Sequence, residues 1–219
     1  MLNKNIKFSI AIDGSSASGK TTGSKFIAKK FIFKLLSSGK LYRFIAYEII
    51  KNKYKYNQKF IKYTSNKISL KKLKNKKLYS PEVTSLSALI AKKKNIRKEL
   101  KKFQINFINN NKKVIIEGRD IASKIMPDAD LKIYFKCSIK EKAKRRLKEY
   151  KKINKYMTLK EVEKSIKIRD FSDKNRKESP LLFVKGAVLV DTTNLTVNMM
   201  EAKLFKLVKE RLIKKYGNI

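Results

Sequence analysis

The stretch IAIDGSSASGKTTGSKFIAKKF, residues 10–31, decides the fold of this chain. It runs from apolar residues through a Gly- and Ser-rich loop into a Lys, two Thr and an amphipathic segment. Gly14-x-x-x-x-Gly19-Lys20-Thr21 has the composition and spacing of a phosphate-binding loop. Glycines let backbone N–H groups turn inward around an anion. A helix starting there adds its first amides and the positive end of its dipole. Lys20 is placed to neutralise the outer phosphates as a point charge, and the Thr21 hydroxyl to ligate Mg²⁺. Residues 6–12 (IKFSIAI) alternate and branch like a strand, and residues 22–34 carry Phe26, Ile27, Phe31 and Ile32 at helical spacing. A flexible Gly/Ser linker is the alternative, and it accounts for neither flank. The stretch reads as a nucleoside triphosphate site.

With 219 residues the chain suits one domain with inserts and can bury a sizeable core. Its 56 basic and 18 acidic residues leave a net charge of +38, a balance that points toward nucleic acid. The excess is spread along the whole sequence as Lys, beside abundant Asn, Ile, Tyr and Phe, which also fits compositional drift and Lys-rich solvated helix faces. Adhesion to polyanions at low salt is expected on either reading. A single cysteine, Cys137, excludes a disulfide framework or thiolate cluster within the chain. The absence of His removes the commonest general base and metal ligand, which suits a reaction of charge placement. No apolar run approaches eighteen residues, and MLNKNIKFS at the start lacks a hydrophobic signal core. The expectation is a soluble, untargeted, cytoplasmic protein, and a monomer.

Further strand candidates are residues 114–117, 131–135 and 188–190, with helical segments between them. Strands alternating with helices imply a parallel sheet covered on both faces. SPEV at residues 80–83 places an N-cap before a Pro and opens a helix to about residue 108. SIKE (138–141) and TLKE (158–161) are capping boxes, and a last helix spans about 197–215. Residues 52–79, rich in Lys and Asn, read as an insertion with short β pieces or loop. No internal repeat is present.

Three constellations bear on what receives the phosphate. In LLSSGKLYR (35–43) a Ser-Gly step leads to a helix and can wrap an anion, with Arg43 adding a fork. In VIIEGRDIASKIMPDADLKIYF (114–135) an apolar strand ends in Glu117-Gly118-Arg119-Asp120, so charged groups leave the sheet edge where open α/β folds bind ligands. Arg119 can grip a phosphate and Asp120 accept from an amino group; a structural ion pair is the alternative. In IKIRDFSDKNRKESPL (166–181), Arg169, Asp173 and Arg176 lie at i, i+4 and i+7 and are expected on one helix face. They form either an anion clamp with a sugar-binding carboxylate or a surface salt-bridge ladder.

Together these pieces resemble the bacterial-type cytidylate (CMP) kinases of the P-loop nucleoside monophosphate kinase family. The resemblance runs from IAIDG through SGKLYR, SPEV, Ile96-Arg97, EGRD, PDADLKI, the Arg169–Leu181 pattern and VLVDTT at 188–193. It implies a five-stranded parallel sheet with helices on both faces, a short lid at about 145–180 and a shortened monophosphate-binding insert at about 44–111. The core would comprise about 6–43, 112–137 and 185–215 of one kinase domain spanning 1–219. It further implies ATP on Gly14, Ser15, Ser16, Ala17, Ser18, Gly19, Lys20, Thr21 and Thr22, with Mg²⁺ at Thr21 and Arg145 and Arg146 closing over ATP. CMP or dCMP is implied at Ser38, Arg43, Arg97, Arg119, Asp120, Arg169, Asp173 and Arg176, with Lys20, Arg169 and Arg176 serving the transferring group. Phosphoryl transfer asks for positioned cations and little covalent work, which fits the inventory.

The chain departs from the family pattern in four places. Ser37 stands where the family has Asp, with Lys40 after the Ser-Gly step, and Ala122-Ser123 replaces the usual Gly-Thr. Ala88 stands where many relatives carry a base-contacting Ser, with Ser87 one place earlier. The insert is also short at residues 44–81. These bear on base selectivity more than on catalysis. The alternatives are another small P-loop kinase, acting on UMP, AMP or shikimate, and a basic nucleic-acid-binding P-loop protein.

Overall fold

A computed structural model describes residues 6–151 and 156–217. MLNKN at the start, and residues 152–155 within the stretch expected as a lid, lie outside them. The chain forms two compact units, Met1–Leu35 with Lys112–Ile219, and Leu36–Asn111. Among the described residues, no helix is long and apolar enough to cross a membrane.

A parallel sheet has the order β2-β3-β1-β4-β5, with β1, β3, β4 and β5 in the first unit and β2 running across the boundary between the two stretches of chain. Its strands are β1 (Phe8–Gly14), β2 (Lys34–Ser37), β3 (Lys113–Gly118), β4 (Leu131–Lys136) and β5 (Val188–Asp191). β1 is central, and Phe8, Ile10, Ala11 and Ile12 are all fully buried, as a strand covered on both faces requires. Its partners lie parallel on either side, with Asp13 beside Gly118 of β3 and Gly14 beside Phe135 of β4. Strand order therefore reverses direction at β1, so the loop after it opens at the crevice where such sheets bind ligands.

Helices α1 (Lys20–Phe31) and α8 (Val197–Tyr216) supply Ile27, Phe31, Leu204, Val208 and Leu212 to one core with Phe8, Ile10, Ile12, Ile133 and Phe135. α6 (Ile139–Lys151) and α7 (Leu159–Asn175) pack on each other through a separate small core of Ala143, Val162 and Ile166. The TLKE box forms in full: Thr158 Oγ1 accepts from the Glu161 amide, and Glu161 accepts from the Thr158 amide. The SIKE box forms by half. Ser138 Oγ accepts from the Glu141 amide, while the Glu141 carboxylate takes the Arg145 guanidinium at 3.0 Å.

Four local expectations are corrected. α1 stops at Phe31 instead of continuing to residue 34, because Ile32 turns left-handed (φ 57°) and sends Phe33 back into the core before β2. β2 itself carries too few apolar residues to be read as a strand from its sequence. In the second unit, residues 52–79 hold no strand: α2 (Ser38–Lys51) is followed by α3 (Gln58–Asn66) and two short 3₁₀ turns, Lys72–Lys74 and Lys76–Tyr79. Asn57 caps α3 by accepting from the Phe60 amide at 2.9 Å, which the Lys/Asn-rich composition concealed. The helix opened by Ser80 and Pro81 divides into α4 (Pro81–Ile90) and α5 (Lys94–Asn109). The α4 end is stabilised by Arg97, whose Nε donates to the Ala91 carbonyl at 2.7 Å.

Two helical glycines make opposite predictions. A Cβ on Gly23 would lie 2.7 Å from Leu204 Cδ1 and 2.8 Å from Phe135 Cζ, both fully buried, whereas a Cβ on Gly39 meets nothing within 4 Å. Gly23→Ala should lower stability by about 1–3 kcal/mol through overpacking. Gly39→Ala should be neutral or stabilising by up to about 1 kcal/mol. Urea unfolding of the two variants reads the contrast, and equal midpoints would contradict it.

Candidate active site

The phosphate loop takes its shape from left-handed backbone at Ala17 (φ 54°) and Gly19 (φ 86°). Gly14 leaves β1 so close to β4 that a Cβ there would lie 2.5 Å from the Phe135 carbonyl oxygen. Gly19 caps α1 with no side-chain hydrogen bond, so the first turn of that helix faces the loop without a protein cap. Lys20 is buried and its Nζ donates to the Ser15 carbonyl at 2.8 Å. Burial, then the Arg119 charge, holds its ammonium well below the ordinary lysine range, with Arg169 adding to the effect. A buried cation among other cations is a setting that a polyphosphate would relieve.

Thr21 is bound to a residue that the sequence reading did not place in the site. Its Oγ1 lies 3.0 and 2.9 Å from the two oxygens of Glu117, a buried carboxylate at the end of β3. One hydroxyl and one carboxylate fit a hard divalent cation that keeps most of its waters. No group of three or more His, Cys, Asp or Glu placed to hold a metal occurs among the described residues.

The Glu117-Gly118-Arg119-Asp120 segment is anchored by Asp13. That buried carboxylate, one residue before the loop, accepts from the amides of Ile121 at 2.9 Å and Ala122 at 2.7 Å. Burial pushes its carboxyl up to about 6 even though the two amides pull the other way, and the nearby Asp120 charge adds to the rise. Arg119 Nε reaches Asp173 Oδ2 at 2.9 Å, and Arg176 Nη1 reaches Asp173 Oδ1 at 3.2 Å. Burial would raise the Asp173 carboxyl, but Arg119, Arg176 and Arg169 hold it below the ordinary range. Two constellations that are separate in sequence are thus one cluster. Arg176 is the exception to the expected helix face: α7 ends at Asn175, and Arg176 is its extended C-cap, its Nε on the Ser179 carbonyl at 2.7 Å.

Arg145 and Arg146 both adjoin the loop. Arg145 donates to Thr192 at Oγ1 (3.0 Å) and at the carbonyl (2.7 Å), and Thr192 Oγ1 donates to the Ser18 carbonyl at 3.0 Å. Arg146 Nη2 donates to Ser16 Oγ at 2.9 Å. Thr192 is a second residue given no role from the sequence; its signal was its place in VLVDTT, just after the last strand. In the second unit Arg43 donates to the Leu78 carbonyl (3.0 Å) and Thr84 Oγ1 (2.6 Å) and stacks on Tyr79. Arg97 lies over the Tyr42 ring. Ser38 is buried at the start of α2.

A cation-rich phosphate loop, a carboxylate beside its hydroxyl and a strand-end Arg–Asp cluster are the parts of a phosphotransferase, and comparison with known proteins says of which family. Residues 10–210 match the family model described as cytidylate kinase. The chain belongs to the cytidylate kinase family. A cytidylate kinase of Mesomycoplasma hyopneumoniae is 37% identical over 218 residues, covering 94% of this chain and 95% of that protein. One from Thermotoga neapolitana is 35% identical over 224 residues, covering 94% and 98%. Among solved structures, an uncharacterized protein of Eubacterium ventriosum matches with TM-score 0.56 at 15% identity, covering 93% of this chain and 99% of that one. A Thermus thermophilus protein matches with TM-score 0.54 at 16% identity, covering 94% and 98%. These two share the fold.

Asp13 gives the family site a pH signature. Its carboxyl titrates near 6 in the folded protein against an ordinary 3.8, so the folded state holds that proton more tightly than the unfolded chain. The stabilising contribution is complete below pH 3.8 and is lost as pH rises through 6, a change of about 3 kcal/mol at most. The stability difference between the parent and Asp13→Asn should therefore shift against the parent between pH 4 and about 6.5 and stay flat above. A difference that is constant over that interval would contradict the raised titration.

Proposed function

We propose that this protein transfers the γ-phosphoryl group of ATP to CMP, giving ADP and CDP, with dCMP as a second acceptor, in cytoplasmic pyrimidine nucleotide metabolism. The observation that carries the reading is Lys20 held on the Ser15 carbonyl within the phosphate loop, with Thr21 against Glu117, in a chain of the cytidylate kinase family.

ATP takes residues 14–22, with Lys20 on the outer phosphates and Arg145 and Arg146 flanking the loop. Thr21 and Glu117 hold Mg²⁺, which supplies charge neutralisation of the phosphates when bound. Arg119, Asp120, Arg169, Asp173 and Arg176 serve the acceptor in the first unit. Asp173 orients Arg119 and Arg176 through both carboxylate oxygens, so its role is shared between positioning those cations and meeting a sugar hydroxyl. Ser38 and Arg43 before the monophosphate-binding insert at about 44–111, and Arg97 within it, also serve the acceptor. No proton shuttle is needed. Cations placed around a loose transition state do the work, and Lys20 is the loop side chain able to follow the migrating charge.

The test is ATP-dependent transfer to a panel of CMP, dCMP, UMP, AMP and shikimate. CMP should give the highest kcat/KM, and a better rate with UMP or AMP would overturn the assignment. Lys20→Met should remain folded and lose about a hundredfold or more in turnover. A folded variant within a few-fold of the parent would remove the loop from the mechanism.

Base selectivity allows a finer test. Ser87 is buried, and its hydroxyl donates to the Thr84 carbonyl at 2.8 Å, so it is engaged within its own helix, whereas Ala88 is exposed. Ser87 is thus a poor substitute for a base-contacting Ser at 88. Introducing one neutral hydrogen bond by Ala88→Ser should widen the CMP/UMP ratio of kcat/KM by roughly two- to tenfold. An unchanged ratio, measured at one salt concentration, would place the base elsewhere.

A further inference from the structure

Asp170, on α7 directly after Arg169, has no part in the scheme above, yet it is buried against the phosphate loop. Its Oδ1 accepts from the Ser16 backbone amide at 3.1 Å. Its other oxygen is paired with the Lys142 ammonium of α6, also buried, and Lys142 Nζ lies 3.4 Å from Ser15 Oγ. A carboxylate seated on an amide of an anion-binding loop is unexpected by itself. It sets a negative charge where a triphosphate has to come. The Lys142 ammonium removes that objection by cancelling the charge in place.

We propose that Asp170 and Lys142 are a positioning pair that fixes the first half of the phosphate loop to the α6–α7 helix pair while keeping the contact electrically neutral toward a bound triphosphate. The proposal rests on the reading of the loop as an ATP site. α6 and α7 have their own small core, so their packing alone does not set their register on the loop. The polar contacts of Asp170, Lys142 and Arg146 with Ser15 and Ser16 do so. Because Asp170 neighbours Arg169 and lies one helical turn from Asp173, fixing it also fixes those two residues against Lys20. Neither member of the pair touches substrate.

The two members have different jobs, which separates this proposal from a merely structural ion pair. Asn at 170 still offers an oxygen to the Ser16 amide, and Ala does not. Asp170→Ala should lower kcat by about tenfold or more, the scale of a lost charge-assisted hydrogen bond, with KM for CMP within about twofold of the parent. Asp170→Asn should recover kcat to within about threefold. Lys142→Met leaves the carboxylate unopposed and should weaken ATP binding, measured by titration calorimetry without acceptor, by about tenfold or more. The double variant Asp170→Asn/Lys142→Met, neutral again, should return ATP affinity to within about threefold.

An Asn variant as impaired as Ala, an Ala variant with parental kcat, or a double variant as weak in ATP binding as Lys142→Met would each overturn the proposal. So would unchanged ATP affinity in folded Lys142→Met. Should Lys142→Met fail to fold, the comparison of Asp170→Ala with Asp170→Asn decides. A parent that binds ATP without phosphorylating CMP overturns the proposed function, and the calorimetric comparison still decides the pair.

Discussion

The site depends on one buried carboxylate that has no contact with substrate in the proposed scheme. β1 and β3 end side by side, and the chains leaving them carry Lys20 in one case and Arg119 in the other. Nothing in strand pairing fixes how those two exits lie beyond the last ladder bond. Asp13 does so, one carboxylate oxygen taking the Ile121 amide and the other the Ala122 amide. Burial opposes its charge, and the displaced titration records that opposition. The two amides would otherwise be buried without partners, a comparable cost. An apolar residue at this position would continue the strand well and leave the Arg119 turn without its anchor.

The electrostatics of the site follow from that anchoring. The net charge of +38 says little about where the protein holds an anion, since most of its lysines face solvent. Local placement says more. Lys20 is buried within reach of the Arg119 and Arg169 charges, and its own ammonium is disfavoured as a result. Asp173 is held ionised by three guanidiniums and in turn keeps Arg119 and Arg176 in fixed orientations. The local excess of positive charge is a deficit that phosphate groups are suited to fill. Long-range charge would chiefly quicken the encounter with anionic nucleotides and is screened by salt.

Packing and polar fastening divide the work between them in the first unit. The sheet with α1 and α8 is held by a large apolar core, packed so closely at Gly23 that an added methyl would displace Leu204 or Phe135. The α6–α7 pair is held to the loop by directional contacts: Arg145 through Thr192 to the Ser18 carbonyl, Arg146 to Ser16, and Asp170 to the Ser16 amide. Polar contacts of this kind are specific in geometry and individually modest in energy. They set orientation where an apolar surface would set only proximity.

The sequence by itself determined the phosphate loop, the strand that feeds it, the caps at Ser80 and Thr158 and the alternation that makes a parallel sheet. Each of these is written within a few consecutive residues, in glycine spacing, side-chain periodicity or a capping pair. β2 and the α4–α5 break left no such mark, since neither a four-residue strand nor a turn without Gly or Pro announces itself. Arg119 and Asp173 are 54 positions apart, and Thr21 and Glu117 are 96 apart. Their types were visible in sequence, but only strand order and register bring them to one sheet edge. The helical spacing of Arg169, Asp173 and Arg176 was sound as arithmetic, yet the helix ends one residue before Arg176, and the ion pair with Asp173 survives from the cap. Glu117, Asp13, Thr192 and Asp170 all lay in motifs legible in the sequence, but only the tertiary structure gave each its partner in the site. A carboxylate or hydroxyl has no local pattern, and what it does is set by the amide, hydroxyl or ammonium that the fold places against it.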